Sequence, residues 1–190
     1  MDEIDAIMRR LHYKICESFA DGHRLIPADE ERITRFEAEI GHNLPHEYRC
    51  FLQRYQGAWI WNAELHPTIQ HEHLQSVEGV HSIHFLGFYS TPPGRTKSPH
   101  DLPWRAQLLK DDLPVGVIPV AEFLQQTYYF CVSCAPETYG QVFIKAREEF
   151  DDDIPADFIF PHAPSFLEFL RSLRTMTDEE ADEWYRKRSE

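Results

Sequence analysis

The chain has 190 residues, 42% of them hydrophobic and 13% aromatic, a composition typical of one well-buried globular domain. Its 19 Lys and Arg against 32 Asp and Glu give a formal net charge of −13, which repels nucleic acid and anionic lipid and attracts a basic partner. No apolar run approaches the roughly 20 residues that span a bilayer, and no signal peptide is evident, so we expect a cytoplasmic protein.

Helical patterns dominate the first third of the chain. Six apolar residues recur at helical spacing and predict an amphipathic helix over residues 2–20, within an N-terminal region of residues 1–22: Ile4, Ile7, Met8, Leu11, Ile15 and Phe19. Carboxylates at residues 29–31 start a second helix, which ends at Gly41. A third helix starts near Pro45 and stops at Gly57, with Tyr48, Phe51, Leu52 and Tyr55 as its apolar stripe.

Strand signals follow. Residues 59–61, 74–77 and 82–89 are strand candidates, and residues 90–103 form a proline-rich loop before a short helix at residues 104–109. Residues 114–120 predict a buried strand. Residues 127–134 and 141–146 predict an antiparallel pair joined by a hairpin loop. The capping boxes Ser165/Glu168 and Thr177/Glu180 then open two helices, the second of them polar and ending near Arg188.

Several motifs occur in a characteristic order: Ile40-Gly41, Leu44-Pro45, Glu47-Tyr48-Arg49, Phe51-Leu52, Tyr55-x-Gly57-Ala58, Leu113-Pro114-x-Gly116-x-Ile118-Pro119-Val120-Ala121-Glu122, Gly140-Gln141-Val142 and Ser165-Phe166-x-Glu168-Phe169-Leu170. In this order they resemble the SUKH superfamily, the Smi/Knr family of regulators and bacterial immunity proteins. The resemblance spans about residues 25–174, giving a domain of residues 23–174 and a C-terminal helix of residues 175–190. Two segments depart from the family pattern, residues 123–127 and 143–146, so no role is carried over to them.

The resemblance implies an α+β fold, a single domain with a curved, mainly antiparallel β-sheet flanked by helices. It implies protein binding without catalysis or a cofactor. Bacterial members mostly bind and block a cognate toxin domain, often a nuclease, whereas eukaryotic relatives act as interaction scaffolds. We therefore expect an immunity protein for a basic toxin, with a general scaffold or regulator as the alternative.

Candidate partner-binding residues fall into two groups. Six acids against two bases between residues 145 and 157 form an acidic run that either faces a basic toxin or is a solvated loop; its candidate contacts are Glu148, Glu149, Asp151, Asp152 and Asp153. Trp59 and Trp61 share one face of a strand and are either core residues or an aromatic anchor. Tyr89 and Glu122 complete the candidate set.

Two motifs invite a metal or redox interpretation. Cys131 and Cys134 have the spacing of a chelating or redox pair, but positions three apart on a strand point to opposite faces, which favours two ordinary strand cysteines. His71 and His73 share a face if extended, yet a third ligand at a recognisable spacing is missing. We expect neither pair to hold a metal.

Overall fold

The computed structural model describes residues 3–65, 79–123, 128–146 and 159–188. The helices of these residues are α1 (Glu3–Arg10), α2 (Glu30–Ile40), α3 (His46–Tyr55), α4 (Leu102–Leu108), α5 (Phe166–Ser172) and α6 (Asp178–Arg188). The strands are β1 (Lys14–Ile15), β2 (Arg24–Leu25), β3 (Ala58–Leu65), β4 (Gly79–Phe85), β5 (Tyr89–Ser90), β6 (Val117–Phe123), β7 (Tyr128–Ser133), β8 (Val142–Ala146), β9 (Ile159–Ala163) and β10 (Arg174–Thr175). Within this part of the chain, every helix is too short or too polar to span a bilayer.

An open antiparallel sheet organises the fold, which confirms the predicted α+β class. Among the described residues, eight strands join in the order β1-β3-β4-β6-β7-β8-β9, and β10 pairs with β3. The strands β2 and β5 form a separate pair. Each of these strand pairs is antiparallel, including the predicted hairpin of β7 and β8.

The helical hairpin of α2 and α3 forms where the sequence predicts it. Gly41 ends α2 with φ at 72°, a left-handed conformation that glycine adopts without strain. Glu37 then ties the two helices together, because its carboxylate accepts a hydrogen bond from the Leu44 amide at 2.9 Å and from Arg49 Nη1 at 2.5 Å. The Gly41 cap and the hydrogen bonds to the Glu37 carboxylate, of which the one from Arg49 is charge-assisted, therefore fix the geometry of the helical hairpin.

The main core lies between the helices and one face of the sheet. Phe51 on α3, Phe85 on β4 and Phe166 on α5 meet there, with the Phe51 ring 4.6 Å from that of Phe85 and 5.2 Å from that of Phe166. All three are fully buried, and each contributes about 1.5–3 kcal/mol of hydrophobic free energy. Helices α1, α3 and α5 thus pack on one face of the sheet, and the opposite face carries a different set of side chains.

The C-terminal helices follow their capping boxes. Ser165 Oγ accepts a hydrogen bond from the Glu168 amide at the start of α5. At α6 both bonds of the box form: the Thr177 amide donates to Glu180 Oε2 at 2.9 Å, and the Glu180 amide donates to Thr177 Oγ1 at 3.2 Å. The predicted polar helix ending near Arg188 is confirmed.

The prediction of one N-terminal helix over residues 2–20 is wrong beyond Arg10, where α1 ends. His12 adopts a positive φ of 48°, and Lys14 and Ile15 pair as a strand with Trp59 and Ala58. Edge pairing with β3 therefore overrides the helical spacing of the later apolar residues. This strand brings the loop that carries Phe19 across the sheet.

Other boundaries shift by a few residues. The first strand continues from residue 61 to Leu65, and the strand predicted over residues 82–89 divides into β4 and β5. The break follows from Gly87, which forms a bridge with Asp101 instead of continuing the ladder. The short helix after the proline-rich loop begins at Leu102, because the Asp101 side chain caps it by accepting from the Trp104 amide at 3.3 Å. The strand candidate at residues 74–77 lies outside the described residues.

Candidate functional site

A row of cross-strand partners crosses the sheet. The row consists of Trp59 on β3, His84 on β4, Glu122 on β6, Tyr129 on β7 and Lys145 on β8, each paired with the next. Successive side chains of a strand alternate between the two faces of a sheet. Because the neighbouring residues of these strands fill the main core, the row projects from the face opposite that core. We call these five residues the polar row.

Two histidines and a carboxylate converge in the middle of the polar row. His84 is 4% exposed and Glu122 is also 4% exposed, and His100 from the loop before α4 joins them. The rings of His84 and His100 lie 4.0 Å apart, and His100 Nδ1 lies 2.5 Å from Glu122 Oε1. Burial, together with the neighbouring His100, lowers the pKa of His84 well below its ordinary value. His84 is therefore a neutral imidazole at physiological pH.

A buried arginine balances the charge of Glu122. Arg105 Nη2 lies 3.6 Å from Glu122 Oε2, and Arg105 Nη1 donates to the Tyr129 hydroxyl at 2.8 Å. The same guanidinium donates through Nε and Nη2 to the Pro99 carbonyl at 3.0 and 2.6 Å. Removing the guanidinium would leave the Glu122 carboxylate buried without this counter-ion, which is destabilising. The pair therefore fixes α4 and the preceding loop on this face of the sheet.

Asp101 places that loop and helix. Its Oδ1 accepts from the Tyr89 amide at 2.9 Å while its Oδ2 accepts from the Trp104 amide at the start of α4. Burial raises the pKa of Asp101, against the opposing effect of these backbone hydrogen bonds. One side chain thus joins β5 to α4 and orients the segment that carries both His100 and Arg105.

An aromatic patch borders the cluster. Trp61 stacks on Trp59 with centroids 4.5 Å apart and planes inclined by 9°, and Trp59 stacks in turn on His84. From the other side, Phe19 stacks on His100 at 4.8 Å. Trp61 is 48% exposed, whereas Trp59 and Phe19 are half-buried. We call Phe19, Trp59 and Trp61 the aromatic patch.

Four of the candidate partner-binding residues lie in the described part of the chain: Trp59, Trp61, Tyr89 and Glu122. Trp61 is exposed and Trp59 is half-buried, and neither belongs to the two apolar core clusters of the described residues. Tyr89 and Glu122 are buried beside them; the Tyr89 hydroxyl donates to the Cys16 carbonyl at 3.1 Å. Both side chains are held by contacts within the chain, Glu122 by His100 and Arg105.

The remaining candidates of the acidic run, and the two histidines of the proposed His-x-His pair, lie outside the described residues: Glu148, Glu149, Asp151, Asp152, Asp153, His71 and His73.

Four residues of the site are not among the candidate binding residues that the sequence predicts: Phe19, His84, His100 and Arg105. His84 carries a usable signal, because it stands between Ile83 and Phe85, two buried residues of an alternating strand, and so must face the opposite side. His100 and Arg105 carry none, since their positions depend on the loop and helix that Asp101 orients. Phe19 was assigned to a helix that ends before it.

The two strand cysteines lie on opposite faces, as their spacing predicts. Cys131 packs in a small cluster with Tyr129 and Leu109, whereas Cys134 belongs to the main core. Burial raises the pKa of both thiols, that of Cys134 to about 12. The pair therefore has neither the shared face nor the thiolate character of a chelating or redox site.

Comparison with known proteins agrees with the fold and the motifs. A family model described as the SMI1 / KNR4 family (SUKH-1) matches residues 27–172, which is most of the chain. A search among curated proteins finds no match. The chain therefore belongs to the SMI1/KNR4 (SUKH-1) family.

Proposed function

We propose that the chain is an immunity protein that neutralises a cognate bacterial toxin, of the nuclease type, by binding it directly. The observation that carries this proposal is the exposed indole of Trp61 on a sheet face that the main core leaves free. Tryptophan is enriched among the residues that dominate binding energy at protein interfaces. In this proposal the chain blocks the toxin by covering its active site and performs no reaction.

The aromatic patch is pre-organised for binding. Trp61 rests on Trp59, and Trp59 rests on His84, whose backbone is paired within the sheet. An anchor that is already held in place loses little conformational entropy when a partner binds, so more of its contact energy becomes affinity. A rigid stack of this kind suits a tight, one-to-one inhibitor better than an adaptable scaffold.

The acidic run is attached to the other end of the polar row. Strand β8 ends one residue after Lys145, and β9 begins at Ile159, the partner of Lys145. Four strand spacings separate β3 from β8, a distance of about 19 Å. A standard interface of about 800 Å² per partner is about 30 Å across, so one toxin can span the polar row from β3 to β8. Aromatic contact would then supply affinity and the carboxylates would speed encounter.

The experiment pairs the chain with the product of the gene adjacent to its own. A catalytically inactive form of that product should form a one-to-one complex with the chain, measured by light scattering after gel filtration, and the active form should lose its toxicity in cells that express the chain. If the adjacent product neither binds nor harms cells, and several unrelated proteins bind weakly instead, the scaffold alternative replaces the immunity function.

A further inference from the structure

We propose that His84, His100 and Glu122 form a binding site for a divalent transition-metal ion of the zinc type. Ligand atoms of the three residues lie within 4.8 Å of one another. Two imidazoles and one carboxylate are a donor set that zinc uses, and it leaves a fourth position for water or for a group of a partner. This inference goes beyond toxin binding and does not depend on it.

The side chain of His84 is the strongest indication. It is buried, and neither of its ring nitrogens has a hydrogen-bond partner among the described residues. A buried polar group without a partner lowers stability, and such groups in native structures call for an explanation. A metal ion bound to one imidazole nitrogen would supply the missing interaction.

The backbone holds two of the three ligands in fixed positions. His84 and Glu122 are direct partners on the adjacent strands β4 and β6, so their side chains leave the sheet side by side. His100 comes from a loop and is more exposed than the other two. Ligands of a tetrahedral zinc ion stand about 3.4 Å apart. His100 Nδ1, now 2.5 Å from Glu122 Oε1, therefore moves outward by about 1 Å when the ion enters.

Arg105 limits the affinity of the site. Its guanidinium lies 3.6 Å from the second carboxylate oxygen of Glu122, which orients that carboxylate but opposes the charge of a cation. The hydrogen bonds from Arg105 to Pro99 and Tyr129 keep the guanidinium in place when the ion binds. We therefore expect weaker zinc binding than at sites with several anionic ligands.

The test titrates the full chain, freed of metal with a chelator, with Zn²⁺ by calorimetry and with Co²⁺ by visible absorption. We expect one ion per chain and the intense cobalt bands of four-coordinate geometry. His84→Phe keeps the ring stack with Trp59, and Glu122→Gln keeps the size of the side chain. Each variant should weaken Zn²⁺ binding at least about tenfold, because loss of an outer-sphere partner alone lowers metal affinity by about that factor. The metal-free variants are checked for native near-ultraviolet circular dichroism.

The double variant His71→Ala/His73→Ala is the matched control, because those histidines are the alternative zinc ligands in the sequence. It should bind Zn²⁺ as the unmodified chain does. Binding that is lost in this control, or that is unchanged by both His84→Phe and Glu122→Gln, overturns the proposal, as does absence of binding at millimolar Zn²⁺.

A measurement on the unmodified chain guards against misfolded variants. In nitrogen-15 spectra, Zn²⁺ should shift the imidazole signals of His84 and His100 and leave those of His23 and His162 in place, since His23 is held by Asp21 and by the Thr96 carbonyl and His162 packs on Phe130. Shifts confined to other histidines contradict the site.

Discussion

Trp59 and His84 are cross-strand partners whose rings stack face to face, with centroids 4.9 Å apart and planes inclined by 11°. Trp61 covers the other face of the Trp59 ring, so Trp59 is the middle member of a three-ring stack and Trp61 is its exposed end. The two tryptophans therefore have different physical roles although they stand two residues apart.

Truncation of the two tryptophans should separate these roles. We expect Trp59→Ala to lower the free energy of unfolding by about 2–3 kcal/mol, because it removes two stacked contacts and half-buried apolar area. Trp61→Ala should cost less than about 1 kcal/mol, since its ring has one stacking partner and stands largely in solvent. Urea unfolding measures both, and equal losses would contradict the stack.

His162 should make stability depend on pH. It is 7% exposed and packs against Phe130 and Phe169, with ring centroids 5.3 and 5.8 Å away, and burial lowers its pKa to about 4. In the unfolded chain the pKa of this histidine is near 6.5. Between about pH 6.5 and pH 4, therefore, the unfolded chain binds a proton at His162 and the folded chain does not. Stability is therefore fully present above about pH 6.5 and falls as the pH drops towards 4, by up to about 3 kcal/mol.

The variant His162→Phe isolates this effect. Because the phenyl ring does not titrate, the difference in unfolding free energy between the unmodified chain and the variant should be constant from pH 7 to 8 and should shift in favour of the variant between pH 6 and 4. A difference that stays constant over the whole range would show that His162 is not buried as described.

Thiol reactivity should distinguish the two pairs of cysteines. Cys131 and Cys134 are buried, whereas Cys16 and Cys50 are partly exposed. We expect an aromatic disulfide reagent to modify only Cys16 and Cys50 in the folded chain and all four in denaturant. The variant Cys16→Ser/Cys50→Ser should be inert until it is unfolded; rapid modification of the folded variant would contradict the burial of the other two thiols.

Local chemistry explains which elements the sequence predicts well. The left-handed Gly41 ends α2, and the reciprocal Thr177 and Glu180 bonds open α6, because capping depends on residues within a few positions. The end of α1 was missed because Ile15 is recruited as an edge strand by Ala58, more than forty residues away. The spacing of apolar residues indicates that a residue is buried, but it does not indicate which part of the chain the residue packs against.

In the candidate site, too, local features can be predicted from the sequence and long-range contacts cannot. Trp59 and Trp61 could be placed on one strand face from their spacing alone. The meeting of His84 with Glu122 could not, because it depends on the register between β4 and β6, which is a long-range property. His100 reaches them only because Asp101 anchors the loop, a contact that leaves no periodic signal.

Charge removal in the acidic run should slow association with the toxin. We expect the triple replacement of Asp151, Asp152 and Asp153 by Asn to lower the association rate constant about three- to tenfold at low salt, with a smaller effect at high salt, because steering by complementary charge is screened by ions. Stopped-flow fluorescence with the inactive toxin measures the rate.

The matched control for charge removal changes the net charge by the same amount elsewhere. The variant Glu31→Gln/Glu39→Gln/Glu179→Gln removes three exposed carboxylates from α2 and α6. It should slow association much less than the Asp151–Asp153 variant. If both variants slow association equally, only the total charge of the chain matters and the acidic run has no special place at the interface.

The most direct test of the proposed binding surface compares two equally exposed aromatic residues by their effect on the equilibrium dissociation constant of the toxin complex. Trp61 is 48% exposed on the aromatic patch, and Tyr139 is 49% exposed at the hairpin between β7 and β8, three strands away. We predict that Trp61→Ala weakens the complex about 30-fold or more, or about 2 kcal/mol, and that Tyr139→Ala changes it less than about twofold. If Trp61→Ala binds the toxin with unchanged affinity and Tyr139→Ala binds it more weakly, the proposal is contradicted.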